Sequence, residues 1–153
     1  MTRISCHARR FVRDRVFPFV SFSIRFSHFF GYVEALIDTG SPFTVLSTTD
    51  ALKLKLPIAS MRKGETVLLA GFRFLNVPIQ NVRLMFRTEN AKSLSIEIPR
   101  LGVLIPTKID KQMLEDVKHI PSIIGNDFLE DHNFILYFNP SVRIAYLERE
   151  DAP

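Results

Sequence analysis

Over residues 20–27 apolar and polar side chains alternate one for one, with Val20, Phe22, Ile24 and Phe26 against Ser21, Ser23, Arg25 and Ser27. Successive side chains of a strand point to opposite faces, so this period of two predicts a strand with one buried side. Apolar or β-branched runs recur at residues 32–37, 43–47, 65–69, 77–86, 94–98, 134–138 and 142–147. Turn residues separate them, at 28–31, Ala70-Gly71, 88–92 and Asn139-Pro140-Ser141, the last joining a predicted terminal hairpin. Helical spacing is clear in one place, residues 110–118, where Met113, Leu114 and Val117 share a face. A shorter segment, 51–56, follows the capping candidates Ser47 to Asp50 and stops at Pro57, and Asn126 offers a cap for a further helical turn. The expected class is therefore mainly β with one or two short helices.

The chain of 153 residues is one domain's worth, and a hydrophobic content of 46% is enough to build a buried core. Its basic character is local. Residues 1–30 hold six arginines and one acid, while the rest of the chain holds fourteen basic and fifteen acidic residues. That division predicts a solvated basic arm over residues 1–15 followed by a domain over 16–150. A nucleic-acid binder should carry its basic face on the folded body, so no nucleic-acid partner is expected. No apolar run reaches the ~20 residues of a membrane-spanning helix, so no membrane association is expected. No small-residue cleavage site follows the phenylalanine-rich stretch, which speaks against a secretory signal. Cys6 is the single cysteine, so an intrachain disulfide is impossible and a reducing, cytoplasmic setting is expected. His7, His28, His119 and His132 lack metal-ligand spacing, and no metal or other cofactor is expected.

The chemistry-bearing element is Ala35-Leu36-Ile37-Asp38-Thr39-Gly40-Ser41. An apolar strand delivers a carboxylate, and the glycine two residues later lets the backbone turn sharply behind it. An Asp-Thr-Gly triplet alone is common at strand ends. Here two further elements accompany it. An apolar pair with glycine, Ile123-Ile124-Gly125, stands late in the chain, and Ala70-Gly71-Phe72 marks a hairpin tip between them.

With these three elements in this order the chain resembles the retropepsin-like aspartic peptidases, over residues 20–138. The resemblance implies a closed β-barrel lobe that is active as a homodimer and cleaves a peptide or protein substrate. It implies that Asp38, Thr39, Gly40 and Ser41 form the catalytic loop, with Ile123, Ile124 and Gly125 as the apolar-apolar-Gly element. Ala70, Gly71 and Phe72 fall at the flap. The chain carries one such loop, so Asp38 of a second copy would complete the site. Thr39 would grip the partner's loop, Ser41 would hydrogen-bond the Asp38 carboxylate, and Phe72 and Phe74 would face the substrate. Retroviral members follow the glycine with an arginine that braces the dimer, whereas Asn126-Asp127 stand here. Asp127, Glu130 and Asp131 read from sequence as a cap and a solvated face. The stretch 106–121 is longer than in the compact viral enzymes and holds the predicted helix. A rival from another class is the same fold kept as a dimerising or peptide-binding module without turnover, because fold does not settle function.

Overall fold

The computed structural model describes residues 1–151. Its strands are β1 (Thr2–Ser5), β2 (His7–Arg10), β3 (Val16–Phe26), β4 (Phe29–Ile37), β5 (Val45–Leu46), β6 (Glu65–Leu69), β7 (Phe72–Arg87), β8 (Ser93–Pro106), β9 (Ser122–Ile124), β10 (Ile135–Asn139) and β11 (Ile144–Arg149). Three short helices interrupt them: α1 (Thr48–Lys53), α2 (Lys111–Val117) and α3 (Asn126–Asp131). The predicted mainly β class is observed, with one helix more than expected. Eight strands form a sheet in the order β2-β3-β4-β9-β5-β8-β7-β6, and β3 pairs additionally with β7 at Ser23–Arg25. A separate sheet of three strands runs β1-β11-β10.

The alternation in β3 sends Val20, Phe22 and Ile24 into the core while Ser21 and Arg25 face solvent. Ser23 breaks the pattern because it is flanked on both sides, by Tyr32 of β4 and Met85 of β7, and so is buried. The turn expected over 28–31 is tighter. Phe26 pairs with Phe29 across Ser27-His28, and their rings stack at 5.7 Å, so the strand resumes at Phe29.

The N-terminal segment departs most from its charge. Residues 1–15 contain β1, paired with β11, and β2, paired with β3, in place of a solvated arm. Apolar residues lie between the arginines and need cover: Ile4 is 1% exposed beside Leu147, and Phe19 is fully buried under His7 and Arg9. The arginines find partners at the surface. Arg9 meets Glu34 at 2.9 Å and its guanidinium lies 3.8 Å over the Phe19 ring, while Arg3 meets Glu148 at 2.6 Å.

Helix α1 begins where its capping residues predict, with the Ser47 hydroxyl accepting from the Asp50 N–H at 3.1 Å. Asp110 caps α2 in the same way, accepting from Met113 N–H at 2.8 Å. Helix α3 starts one residue earlier than expected, with Gly125 in the cap position and no side-chain cap. At its end, half-buried His132 packs against Phe128, with ring centroids 4.9 Å apart. Burial pulls the imidazole pKa below its ordinary value, against the opposing pull of Asp131. The folded state thus binds this proton less readily than the unfolded chain. Stability from this group is present above about pH 6.5 and is lost as pH falls through the folded pKa. A His132→Gln variant, unfolded in denaturant at a series of pH values, should show a flatter acid limb than wild type.

Two apolar clusters form the interior. The larger joins the main sheet to the three-stranded one and takes in Ile4, Phe22, Ile24, Leu84, Phe86, Ile124, Phe128 and Leu147. The smaller joins Val45, Phe74, Leu104, Val117 and Ile123, with Val67, Leu69, Phe72, Met113 and Ile120 packed on it. It binds the β6–β7 hairpin to α2 and to β9.

Candidate active site

Strand β4 ends at Ile37, and the next residue, Asp38, leaves the sheet. Its neighbour in space is β9, which runs parallel to β4 with Ala35, Leu36 and Ile37 opposite Ser122, Ile123 and Ile124. The ladder's last rung is the Asp38 N–H donating to Ile124 O at 3.0 Å. The apolar pair is therefore a support beneath the carboxylate: Ile124 is fully buried in the main core and Ile123 is 4% exposed in the smaller cluster. Asp38 is half-buried, and Thr39 and Gly40 are exposed.

Beyond Asp38 the chain folds back on itself. The Gly40 N–H donates to Asp38 Oδ1 at 2.9 Å, and the Ser41 N–H donates to Asp38 O at 3.1 Å. The Ser41 hydroxyl does not reach the carboxylate as the resemblance implied. It donates to Phe43 O at 2.9 Å, which closes the next turn, so the carboxylate's donor is a backbone amide.

Gly125 shows why the apolar pair must end in glycine. A β-carbon there would stand 2.5 Å from Phe43 O, 2.6 Å from its carbonyl carbon and 2.8 Å from Ser41 O, all backbone atoms. That approach lets the Asn126 N–H donate to Ser41 O at 2.8 Å and the Gly125 N–H donate to Thr44 Oγ1 at 3.0 Å. Two residues not singled out for this loop complete the junction. Asp127 accepts from the Thr44 N–H at 3.1 Å through Oδ2 and from the Thr44 hydroxyl at 2.7 Å through Oδ1. Asp127 is thus a tie to the loop and not a solvated face. Its place two residues after Gly125 was the available signal, because a first-turn helix residue there points back toward whatever the glycine touches.

Ala70 and Gly71 form the two-residue tip of the β6–β7 hairpin, with Leu69 opposite Phe72. Their φ angles of 51° and 82° are both positive, as a tight hairpin turn of this length requires. Phe72 is half-buried and Phe74 is 1% exposed. The expectation that both rings face a substrate therefore fails for Phe74, which is core: it packs with Val45, Leu104, Val117 and Ile123. Truncating it removes a whole ring from a filled cluster, so Phe74→Ala should cost about 3–5 kcal/mol in denaturant unfolding. A loss under about 1 kcal/mol would show the ring to be dispensable to the fold.

A cavity of about 760 Å³ lies among Arg9, Tyr32, Asp50, Lys53, Arg87 and Lys118, and Asp38 is not in its wall. Burial pushes the Cys6 thiol up to about 12, so it is no thiolate nucleophile. Among the described residues no three His, Cys, Asp or Glu side chains gather as a metal site, and no helix is long and apolar enough to cross a membrane.

Among the solved structures similar to this architecture are two that cover 88% or more of this chain. One is a retropepsin-like aspartic protease from Rickettsia conorii, with a TM-score of 0.52 and 14% identity over 96% of this chain and 93% of that one. The other is the retroviral protease-like domain of Ddi1 from Leishmania major, with a TM-score of 0.43 and 12% identity over 88% of this chain and 98% of that one. No family model matches the sequence, and no curated protein matches it. At such identity the first likeness establishes the fold: this chain has a retropepsin-like fold.

Proposed function

We propose that the protein is an aspartic endopeptidase whose site is shared between two copies of the chain, with Asp38 from each. The observation that carries the reading is the half-buried Asp38 at the end of β4, its backbone N–H donating to Ile124 O and its carboxylate accepting from the Gly40 N–H, on a retropepsin-like fold. One chain carries one such loop, and a two-fold axis through it supplies the second carboxylate from an identical patch.

In the paired site two carboxyl groups about 3 Å apart cannot both ionise, so they share one proton. The ionised group takes a proton from a bound water as that water attacks the scissile carbonyl. The protonated group donates to the carbonyl oxygen as negative charge develops there. The rate then depends on a pair that holds one proton, and falls when the pair gains or loses one. This gives a bell-shaped pH profile that belongs to both groups together, with its optimum on the acid side, below about pH 6. Thr39, exposed beside Asp38, faces the partner loop in this arrangement. The hairpin tip at Ala70, Gly71 and Phe72 closes over the substrate, and the terminal β10–β11 hairpin packs near the axis.

The test is the dependence of cleavage on protein concentration. With a quenched peptide library as substrate, activity per chain should climb steeply through the range where sedimentation shows association, then level off. An active species that sediments as a monomer would overturn the shared site.

A further inference from the structure

The resemblance raises the question of what holds the loop at 38–44, because the position after Gly125 carries Asn126 where retroviral members have a bracing arginine. Bonds from a remote segment of the same chain hold this loop. Asp38 N–H is held by Ile124 O at 3.0 Å and Ser41 O by Asn126 N–H at 2.8 Å. Thr44 is held three times: its N–H and its hydroxyl both donate to Asp127, and its Oγ1 accepts from Gly125 N–H. Asp127 also accepts from the Phe128 N–H at 2.8 Å, so its carboxylate gathers three donors from two segments that are remote in sequence. Phe128 itself is 2% exposed in the main core, which anchors the helix turn carrying Asp127.

We infer that Asp127 is a positioning residue that builds the loop carrying Asp38 within the single chain, before any association. Association then adds a second carboxylate to a loop already in place. The inference rests on the proposed function for what the loop does, and on the hydrogen bonds alone for how it is held. The Asp127 carboxylate offers a separate oxygen to each Thr44 donor, Oδ2 to the amide and Oδ1 to the hydroxyl. An amide at 127 keeps one such acceptor, and alanine keeps none.

The experiment is amide hydrogen exchange read by mass spectrometry on the full chain, at protein concentrations below and above association. Wild type should protect residues 38–45 equally at both. Asp127→Ala should speed exchange there about tenfold or more and leave the β10–β11 hairpin unchanged. Asp127→Asn should fall between, and Thr44→Val, which deletes the hydroxyl and keeps the N–H, should match it. Where Asp127→Ala fails to fold, these milder variants carry the comparison. Wild-type protection that appears only above association would overturn the inference, as would wild-type exchange at 38–45 in Asp127→Asn and Thr44→Val. Cleavage is a second readout: Asp127→Asn should lower kcat about tenfold with KM held within twofold, and equal loss through KM would assign Asp127 to binding and sink its positioning role. The two readings fail separately. A chain that protects its loop as described but cleaves no peptide refutes the peptidase, whereas a chain that cleaves with an unprotected loop refutes the clamp.

Discussion

Asp38→Asn should lower peptide cleavage by about four orders of magnitude, the upper end of what one positioned acid or base contributes. The substitution keeps the shape of the side chain, and the amide oxygen still accepts from Gly40 N–H where Asp38 Oδ1 now does, at 2.9 Å. It removes the ionisable pair altogether, because an amide can neither take the water's proton nor share one with a partner carboxylate. Thermal unfolding and sedimentation should match wild type, which separates lost chemistry from lost structure. Mixing supplies a sharper form of the same test. If two chains share one site and exchange freely, an equal mixture of variant and wild type pairs half of the wild-type chains with an inactive partner. Activity per wild-type chain should then drop to about half at a concentration where all chains are associated. A residual rate within tenfold of wild type, or a mixture with undiminished activity, would place the chemistry elsewhere or confine it to one chain.

Much of this fold was legible because its strands obey the period of two and its turns carry the residues their geometry demands. The β6–β7 hairpin was read from Ala70-Gly71 between two apolar runs, and both residues take the positive φ that a two-residue tip requires. Helix α1 was read from the capping candidates Ser47 to Asp50, of which Ser47 caps, and α2 from the shared face of Met113, Leu114 and Val117, with Asp110 as its cap. The N-terminal segment misled for a physical reason. Six arginines in thirty residues look like a solvated arm when charge is summed along the chain. Strand pairing is decided instead by what lies between the charges, and Ile4 and Phe19 are buried only if β1 and β2 are in place. Partners such as Glu34 and Glu148 stand 25 and 145 residues away from the arginines they meet, and no local window contains them.

The candidate site was legible in its landmarks and not in its bonds. Asp38, Ile123, Ile124 and Gly125 come together because a parallel β4–β9 pairing brings the two segments side by side. Which donor meets the carboxylate was not readable, since Gly40 N–H and the Ser41 hydroxyl both lie within reach in sequence and only the turn geometry selects the amide. Phe74 illustrates a different limit. Alternation around Arg73 correctly placed Phe72 and Phe74 on one face of the hairpin, but alternation is silent on what that face meets. Here it meets α2 and Ile123, so the ring that would have touched a substrate fills a cluster instead.

Gly125→Ala should be the most damaging single-carbon change available near the site. The added β-carbon would lie 2.5 Å from Phe43 O and 2.8 Å from Ser41 O, and real β-carbons do not approach backbone oxygens that closely. Neither oxygen belongs to a flexible side chain, so relief requires the loop from Asp38 to Thr44 to move off β9. That movement lengthens the Asn126-to-Ser41 and Gly125-to-Thr44 bonds, now 2.8 and 3.0 Å, and with them the position of Asp38. Overpacking of this kind typically costs about 1–3 kcal/mol of stability. A displacement near 1 Å at a reacting group costs about a hundredfold in rate, so cleavage should fall much further than stability does. Gly31→Ala, at the opposite end of β4 from Asp38, is the matched control. Its β-carbon would lie 2.5 Å from Leu54 Cδ2, the far end of a flexible side chain, so overpacking again costs about 1–3 kcal/mol. Measured side by side, Gly31→Ala should lose stability with kcat near wild type, and Gly125→Ala should lose both. Equal, mild losses of stability with unchanged cleavage in the two variants would show that the close approach of Gly125 to the loop is not what holds Asp38 in place.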